Sequence, residues 1–355
     1  MTRTPEDTRD DDDQRVSGRE SATRRRVLAR SVSASIGVVG AAGSTTAGET
    51  DRAPGADAAT ADREDDSVTD PPLEPMTDLP LFDAHTHVIP EETLDRPPLS
   101  GDELVEWMDD VGVDRAVVLA LDSPESYPVQ APSWWVLEEV EAHPDRLVPF
   151  CTVDPRTLVY GDEPVENLIE RYVERGARGF GELKAGLPID DSRLETLYER
   201  CAEYDLPILF HTDEKAMMDE VGLPRLEDVL ASYPSVDFLA HAHAWWAHIS
   251  ADVSWEDRGQ YPDGPIEPGG RVSELLGAYD NIYGDISGFS GWNALTRDEE
   301  YAQEFLEEHS EQLVFGTDYL YPGQEISHFE LFDRFDLDRD AWADLRYRNL
   351  EGVLR

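Results

Sequence analysis

The stretch Leu81-Phe82-Asp83-Ala84-His85-Thr86-His87-Val88 decides how the rest of the chain is interpreted. An apolar run that ends in two histidines is typical of a β-strand leading into a polar site. Strand side chains alternate between faces, so Asp83, His85 and His87 are predicted to project to the same side. Two imidazoles about 7 Å apart along one face can bind the same divalent ion. Taken alone the pair is a weak signal that also fits two polar loop residues, so the prediction depends on ligands elsewhere in the chain.

The composition indicates a globular, strongly acidic protein. The 355 residues are 40% hydrophobic, and 77 acidic against 30 basic side chains give a net charge of −47. Such a surface needs screening by salt and is typical of a protein from a salt-loving organism. Apolar and aromatic residues recur at globular spacing, which argues against a disordered acidic protein. The scarcity of basic side chains argues against nucleic acid as a partner.

The N-terminal part is predicted to be separate from the folded domain. Residues 1–48 contain Arg24-Arg25-Arg26 followed by the uncharged, small-residue stretch 31–48, which resembles a twin-arginine export signal. A basic disordered tail is the alternative. Residues 49–78 are rich in Asp, Ala, Pro and Thr and are predicted to be a disordered linker. We therefore expect an exported protein, extracellular or at the cell surface, with no stable membrane span after signal removal; without export it would be cytoplasmic.

From residue 79 onward, short apolar runs alternate with amphipathic segments. The predicted strands are Leu81–His85, Arg115–Leu121, Arg146–Val153, Arg178–Leu183, Pro207–His211, Val236–His241, Asn281–Ile286 and Gln312–Thr317. The predicted helices cover 102–111, 133–142, 164–175, 191–204, 224–232, 271–279, 298–309 and 340–354. Eight strands alternating with eight helices predict an α/β fold, a (β/α)₈ TIM barrel over 79–355 that follows the acidic extension. An open doubly wound sheet would also explain the alternation but seldom reaches eight units.

The predicted barrel can be checked against the positions of its histidines, because active-site groups of such barrels lie at the C-terminal ends of the strands. His211 ends the fifth strand and His241 the sixth, while Asp318 follows the eighth. Five of the nine histidines of the chain fall at strand ends: His85, His87, His211, His241 and His243. This joint placement predicts a divalent metal site.

These motifs resemble the amidohydrolase superfamily, specifically its branch of amidohydrolase-related metal-dependent hydrolases, over residues 79–354. The resemblance is carried by Asp83-Ala84-His85-Thr86-His87, His211, His241 and Gly316-Thr317-Asp318, and more weakly by Tyr347-Arg348-Asn349-Leu350. It implies that His85 and His87 bind a buried metal together with Asp318. His211 and His241 would complete that site or bind a second metal. With a single metal, His211 would be the fourth ligand and His241 would be free for proton transfer.

The fourth strand places Glu182 and Lys184 two residues apart, on the face that carries site residues elsewhere. In some members of the family a strand-four carboxylate bridges two metals, and the resemblance favours Glu182 for this role. Lys184 is then a charge partner for Glu182 or for a substrate carboxylate. A buried ion pair without metal contact is the alternative. Zinc is the expected ion, as one or two ions, although Mn, Fe and Ni fit the same ligands. No residues for an organic cofactor are predicted.

The predicted ligands indicate catalysis by a metal-activated water. Asp318 is the expected general base, and His241 or a second metal polarises the substrate oxygen. Trp245 and Arg258 lie in the long connection from His241 to Gly270. Trp245 is predicted to contact a flat or apolar small-molecule substrate, and Arg258 to bind a carboxylate of that substrate. Packing of these aromatic residues onto the barrel is the alternative for each Trp, and pairing with the acidic surface is the alternative for Arg258.

The predicted function is a metal-dependent hydrolase of an amide, ester, lactone or related C–N or C–O bond. A nonhydrolytic decarboxylase of aromatic carboxylic acids is the first alternative, because part of this branch uses the same ligands to remove CO₂. A phosphoesterase is disfavoured by the acidic surface, and a non-catalytic barrel by the presence of the base Asp318. Cys151 and Cys201 are predicted to be buried thiols. The sequence leaves the oligomeric state open.

Overall fold

The structure is a computed structural model that describes residues 78–354. Eight parallel strands form one sheet in chain order and alternate with helices, so the predicted TIM barrel is confirmed. The strands are Phe82–His87 (β1), Arg115–Leu119 (β2), Leu147–Cys151 (β3), Gly179–Leu183 (β4), Ile208–His211 (β5), Phe238–His241 (β6), Ile282–Asp285 (β7) and Leu313–Val314 (β8).

The barrel closes where the segment after β8 runs beside β1. The amide of Ala84 donates to the carbonyl of Phe315 at 2.8 Å, and the amide of Asp318 donates to the carbonyl of His85 at 2.8 Å. Asp83 reinforces this seam, because its carboxylate accepts from the Thr317 hydroxyl at 2.6 Å and from the Thr317 amide at 3.1 Å. Asp83 therefore joins β1 to the segment that follows β8.

The interior of the barrel is filled by a compact apolar cluster, separate from the larger core between strands and helices. Its buried members are Phe82, Ala84, Val117, Leu119, Val148, Phe150, Leu209, Leu239, Val314, Leu350 and Val353. In β5 and β6 the cluster residue lies two positions before a histidine, Leu209 before His211 and Leu239 before His241. Strand alternation therefore places both histidines on the inward face, above this apolar layer.

The helices that surround the sheet have recognisable start signals. Ser100 and Glu103 form a capping box at the first helix, and the Asp191 side chain accepts from the Arg193 amide at the fourth. The helices are Gly101–Val111 (α1), Ser133–Val140 (α2), Asn167–Glu174 (α3), Ser192–Glu203 (α4), Pro224–Ser232 (α5), His243–Ala247 (α6), Arg271–Ala278 (α7), Gly288–Thr296 (α8), Glu299–His309 (α9), Leu331–Arg334 (α10), Arg339–Ala343 (α11) and Asn349–Val353 (α12).

Three local predictions differ from the structure. The strand predicted over Gln312–Thr317 is regular only at Leu313–Val314, because the following residues turn toward β1. The helix predicted over 340–354 is interrupted by a π-helical turn at Asp344–Arg348. The segments after β6 and β7 contain α6 and α8, which were not predicted. Glycine and serine in α8 weaken its helical pattern.

The predicted export signal and nearly all of the predicted linker, residues 1–77, lie outside the described residues and stay predictions. Within residues 78–354, no helix combines the length and the apolar character needed to cross a bilayer. Cys151 and Cys201 are both free and buried, as predicted.

Candidate metal centre

The two histidines of β1 converge on a common point. His85 Nε2 lies 3.2 Å from His87 Nε2. The opposite nitrogen of each ring is held as a donor: His85 Nδ1 donates to Asp285 Oδ2 at 2.7 Å, and His87 Nδ1 donates to the Leu119 carbonyl at 3.1 Å. In the neutral rings, two lone pairs therefore face each other at short range. A cation between them satisfies both, which is the usual arrangement of metal-binding histidines.

Two carboxylates complete this cluster. Asp318 Oδ1 lies 3.5 Å from His87 Nε2 and 3.6 Å from His85 Nε2. Glu182 Oε2 lies 3.7 Å and 3.9 Å from the same two nitrogens. Ligands about 2.0–2.1 Å from a tetrahedral zinc ion are about 3.3–3.4 Å from one another. His85, His87 and Asp318 therefore offer donor atoms of the type and the spacing that a divalent ion requires, and a Glu182 oxygen lies within 3.9 Å of both histidine nitrogens.

His241 adds a third imidazole to the same centre. Its ring centroid is 4.4 Å from that of His85, and ligand atoms of His85, Glu182 and His241 lie within 4.8 Å of one another. His241 Nδ1 donates to Ser287 Oγ at 3.0 Å, and Ser287 Oγ donates to Asp285 Oδ2 at 2.8 Å. The hydrogen bonds from His241 to Ser287 and from Ser287 to Asp285 thus fix the orientation of the His241 ring. They leave its Nε2 available for an ion or a substrate.

Two glycines provide the space for these side chains. Gly288 has φ +64°, and an added Cβ would lie 3.1 Å from His241 Cε1 and 3.2 Å from Asp318 Oδ2. At Gly316 an added Cβ would lie 2.7 Å from Asp285 Oδ1 and 3.1 Å from His85 Cβ. Glycine is therefore required at both positions for the cluster to pack.

The carboxylates of the centre are held in the ionised form. Burial alone would raise the pKa of Glu182, but the charge of Lys184 and the bond from His211 hold that pKa well below its ordinary value. Burial likewise opposes ionisation of Asp318, and the bond to His87 with the charges of nearby imidazoles lowers its pKa. The pKa of Asp285 is also lowered, because His85 and His241 outweigh the effect of burial. Ionised carboxylates are the form that binds a metal.

A family model described as amidohydrolase matches residues 82–354, which include every strand of the barrel. The chain belongs to the amidohydrolase family. No curated protein matches this amidohydrolase closely enough to be reported.

Solved structures share the fold at low sequence identity. A TIM-barrel protein of uncharacterised function from Bordetella bronchiseptica has a TM-score of 0.54 at 15% identity, over 77% of this chain and 98% of its own. A candidate 2-pyrone-4,6-dicarboxylic acid hydrolase from Pseudomonas putida gives 0.53 at 16% identity, over 78% and 97%. The 5-carboxyvanillate decarboxylase of Novosphingobium aromaticivorans, complexed with manganese and 4-hydroxy-3-methoxy-5-nitrobenzoic acid, gives 0.52 at 15% identity, over 79% and 97%. At these identities the likeness extends to the fold alone.

The structure brings the predicted ligands of this amidohydrolase to one end of the barrel. His211 is next to His241 in the β5–β6 register, and its Nδ1 donates to Glu182 Oε1 at 2.7 Å. It is outside the two buried ligand groups, His85–His87–Asp318 and His85–Glu182–His241, and its other nitrogen faces Asp213 at 3.1 Å.

The three predicted substrate contacts have different positions. Lys184 is half-buried at the end of β4, where its charge acts on Glu182. Trp245 is 0% exposed and packs in the core. Arg258 is 2% exposed; its guanidinium stacks on Trp255 and donates to the carbonyl of Asp219. The burial of Trp245 favours packing, the alternative considered for it from the sequence. Arg258 is buried against Trp255, a position that differs from the surface pairing considered as its alternative.

A small cavity of about 230 Å³ borders the centre at Asp318. The Asp318 side chain, 30% exposed, lies in its wall together with Phe289, Trp292 and Tyr321. A larger cavity of about 630 Å³ is lined by Arg115, Pro149 and Arg178, at the opposite ends of the strands. Because active-site groups of such barrels lie at the C-terminal ends of the strands, the smaller cavity is the candidate substrate site.

Sequence reasoning missed three residues at the site. Asp285 and Ser287, which hold His85 and His241, come at and just after the end of β7. The strand-end rule that found the histidines would also have selected Asp285. Asp213 follows His211 by two residues, and only its side-chain contact reveals its role.

Proposed function

We propose that this amidohydrolase is a metal-dependent hydrolase that acts on a small organic substrate at a C–N or C–O bond. The observation that carries the proposal is the ligand group His85–His87–Asp318, whose donor atoms lie 3.2 to 3.6 Å apart beside a cavity wall formed partly by Asp318. A Glu182 oxygen lies within 3.9 Å of both histidine nitrogens. The cavity is smaller than the roughly 300–1,000 Å³ typical of sites for drug-sized ligands, which favours a small substrate.

His85, His87 and Asp318 would hold the ion, with Glu182 and His241 at its side. When bound, a divalent ion acts as a Lewis acid and lowers the pKa of a coordinated water from about 15.7 toward 7. Zinc is favoured by the mixed imidazole and carboxylate donors. The manganese of the Novosphingobium decarboxylase supports the same class of ion.

Asp318 has the properties of a general base. Its Oδ1 faces the histidine nitrogens, while its Oδ2 lies toward Gly288 in the wall of the cavity. The carboxylate takes the proton of the attacking water and returns it to the leaving group. His241, fixed through Nδ1, presents its other edge to the substrate oxygen. Lys184 would attract an anionic group on the substrate, such as a carboxylate.

The proposal is tested with the full-length protein in molar salt, loaded with zinc or manganese. The substrate panel contains lactones, esters, amides and phosphodiesters. Asp318→Asn keeps the shape of the side chain and is expected to lose about 10²–10⁴-fold in rate while the bound metal is retained. Asp102→Asn is the matched control, since Asp102 forms an exposed surface pair with His143 at 2.6 Å. Full activity of Asp318→Asn excludes the general-base role.

Glu182→Gln tests the bridging carboxylate separately. Because Glu182 faces both the β1 histidines and His211, the substitution is expected to lower both metal content and rate. Unchanged metal content and rate would show that Glu182 forms only an ion pair.

Decarboxylation of an aromatic carboxylic acid is the second candidate. Aromatic side chains in the cavity wall and the positive charge of Lys184 suit such a substrate, and one structural relative has this activity in its name. The product separates the two functions: aryl carboxylic acids added to the panel release CO₂ only in the second case. About two metals per chain favours hydrolysis, and about one leaves decarboxylation open.

A further inference from the structure

We propose that the cavity of about 630 Å³ at the N-terminal ends of the strands binds a small organic anion with an apolar body. Three residues of its lining fix the position: Arg115 begins β2, Leu147 begins β3 and Arg178 immediately precedes β4. The volume lies within the roughly 300–1,000 Å³ of sites for small organic ligands. The site goes beyond the proposed function, because the candidate metal centre lies at the other end of the barrel.

Positive side chains are concentrated at this cavity. The whole chain has 77 acidic and 30 basic side chains, but the lining has three arginines, Arg115, Arg175 and Arg178, and one acidic residue, Glu141. An arginine stays protonated and donates from a planar fork that matches a carboxylate. On a surface dominated by carboxylates, this lining is therefore a place that attracts an organic anion.

Two of the three arginines are held in place by the protein. The Arg115 guanidinium stacks on Phe82, 4.2 Å from the ring centroid, and its Nη1 lies 3.6 Å from the Glu351 carboxylate. Arg178 Nη2 donates to the carbonyl of Leu354 at 3.2 Å. Each guanidinium has five N–H donors, so these contacts leave donors available for a ligand.

Arg175 is the arginine with an unused charge. It is the residue immediately after α3, and its side chain is exposed at the cavity. Within residues 78–354 its guanidinium has no hydrogen bond or ion pair. An anion in the cavity would therefore give Arg175 a partner without breaking an existing pair.

The rest of the wall is apolar and calls for an apolar ligand body. Leu137 and Val140 of α2 and Leu147 and Val148 of β3 are at most 7% exposed. In molar salt the screening length is about 3 Å, so only guanidinium groups in direct contact with the ligand contribute by charge. Burial of an apolar body against this wall adds to the affinity. The lining therefore favours a ligand that has both parts, such as an aryl-substituted carboxylate.

The test measures binding of 4-phenylbutanoate to the full-length, metal-loaded protein in molar salt by isothermal titration calorimetry. The neutral 4-phenylbutanamide keeps the shape without the charge, and inorganic phosphate keeps a charge without the apolar body. Arg175→Gln is the deciding variant, and Arg178→Gln is an independent second variant. Arg193→Gln is the matched control, because it removes the same charge from a surface pair with Asp191 at the start of α4. Far-UV circular dichroism and the melting temperature check the fold of each variant.

A single 4-phenylbutanoate is expected to bind per chain, with dissociation constants at least about tenfold weaker for the amide and for phosphate. Arg175→Gln and Arg178→Gln are each expected to weaken binding of the acid at least about fivefold, and Arg193→Gln less than about twofold. Asp318→Asn is expected to leave binding of the acid unchanged, because Asp318 lies at the other end of the barrel.

Four results would overturn the anion site. They are no binding of 4-phenylbutanoate, equal binding of the acid and its amide, equal binding of the acid and phosphate, and equal affinities of the two arginine variants and wild type. Loss of binding in Asp318→Asn with retention in Arg175→Gln would place the anion at the candidate metal centre and would also overturn the proposal. None of these results bears on the proposed hydrolase, whose test is the rate of Asp318→Asn.

Discussion

Asp285 is the most informative residue to perturb, because it supports the candidate centre without belonging to its open face. The side chain is 0% exposed, and its Oδ2 accepts from His85 Nδ1 at 2.7 Å and from Ser287 Oγ at 2.8 Å. Asp285→Asn keeps the volume and can keep the bond from the Ser287 amide to Oδ1, which is 2.9 Å long. It replaces Oδ2 by an amide nitrogen that faces two donors.

The expected magnitude follows from these contacts. The substitution removes the acceptor that keeps His85 Nδ1 protonated and Nε2 free for metal. Loss of such a carboxylate partner typically lowers metal affinity or activity 10–100-fold. This corresponds to about 1.4–2.7 kcal/mol of binding free energy. The larger value is expected, since Asp285 also contacts the Ser287 hydroxyl that holds His241.

The assay is a competition between the protein and a chromophoric chelator for Zn²⁺, with the rate on the best substrate as a second measurement. Ser287→Ala is the graded control, because it removes the hydroxyl but leaves the carboxylate on His85; a loss of no more than about threefold is expected. A folded Asp285→Asn protein with zinc affinity and rate within twofold of wild type would refute the reasoning that His85 needs this partner.

Three further predictions concern stability, packing and reactivity. The pKa of His248 is lowered to about 4, mainly because the ring is buried. As the pH falls below 6.5, this histidine is therefore protonated in the unfolded chain before it is protonated in the folded protein. The contribution of the neutral ring to the free energy of unfolding is complete above pH 6.5 and declines by up to about 3 kcal/mol by pH 4. Chemical denaturation at several pH values should show a smaller decline in His248→Gln than in wild type. An identical decline in the two proteins would contradict this prediction. Gly316→Ala places a Cβ 2.7 Å from a site carboxylate and should weaken zinc binding at least tenfold, whereas Gly277→Ala meets nothing within 4 Å and should not. Burial raises the pKa of Cys151 to about 12 and that of Cys201 well above its ordinary value. A disulfide reagent should therefore label both thiols only after the protein unfolds. Rapid labelling of the native protein would contradict this prediction.

The fold was predictable because its signals are local and repeated. All eight predicted strands are present, and seven of them begin and end within two residues of the predicted ends, as at Ile208–His211 and Phe238–His241. Where tertiary contacts decide the conformation, prediction failed. The segment after Val314 pairs with β1 without forming a regular strand, and α8 begins at Gly288, whose φ of +64° no helix propensity would suggest.

The candidate site was predictable in its membership and less so in its connections. The strand-end rule selected His85, His87, His241 and Asp318, which the structure brings together. It could not separate a substrate contact from a packed side chain: Trp245 follows a site strand but turns into the core. The face on which a residue lies after a strand ends depends on the loop, and no alternation applies there.

Which nitrogen of an imidazole is available for an ion is the part of the site that spacing cannot give. Each ring in question has one nitrogen fixed by a partner from another strand or segment, such as the Leu119 carbonyl for His87 and Glu182 for His211. These partners decide the direction of the free nitrogen, and for His211 they place Nε2 beside Asp213. A count of strand-end histidines therefore does not give the number of ligands at one centre. The carboxylates and carbonyls behind the rings determine how the histidines are divided, so substitutions at those partners should change metal binding even where every histidine is retained.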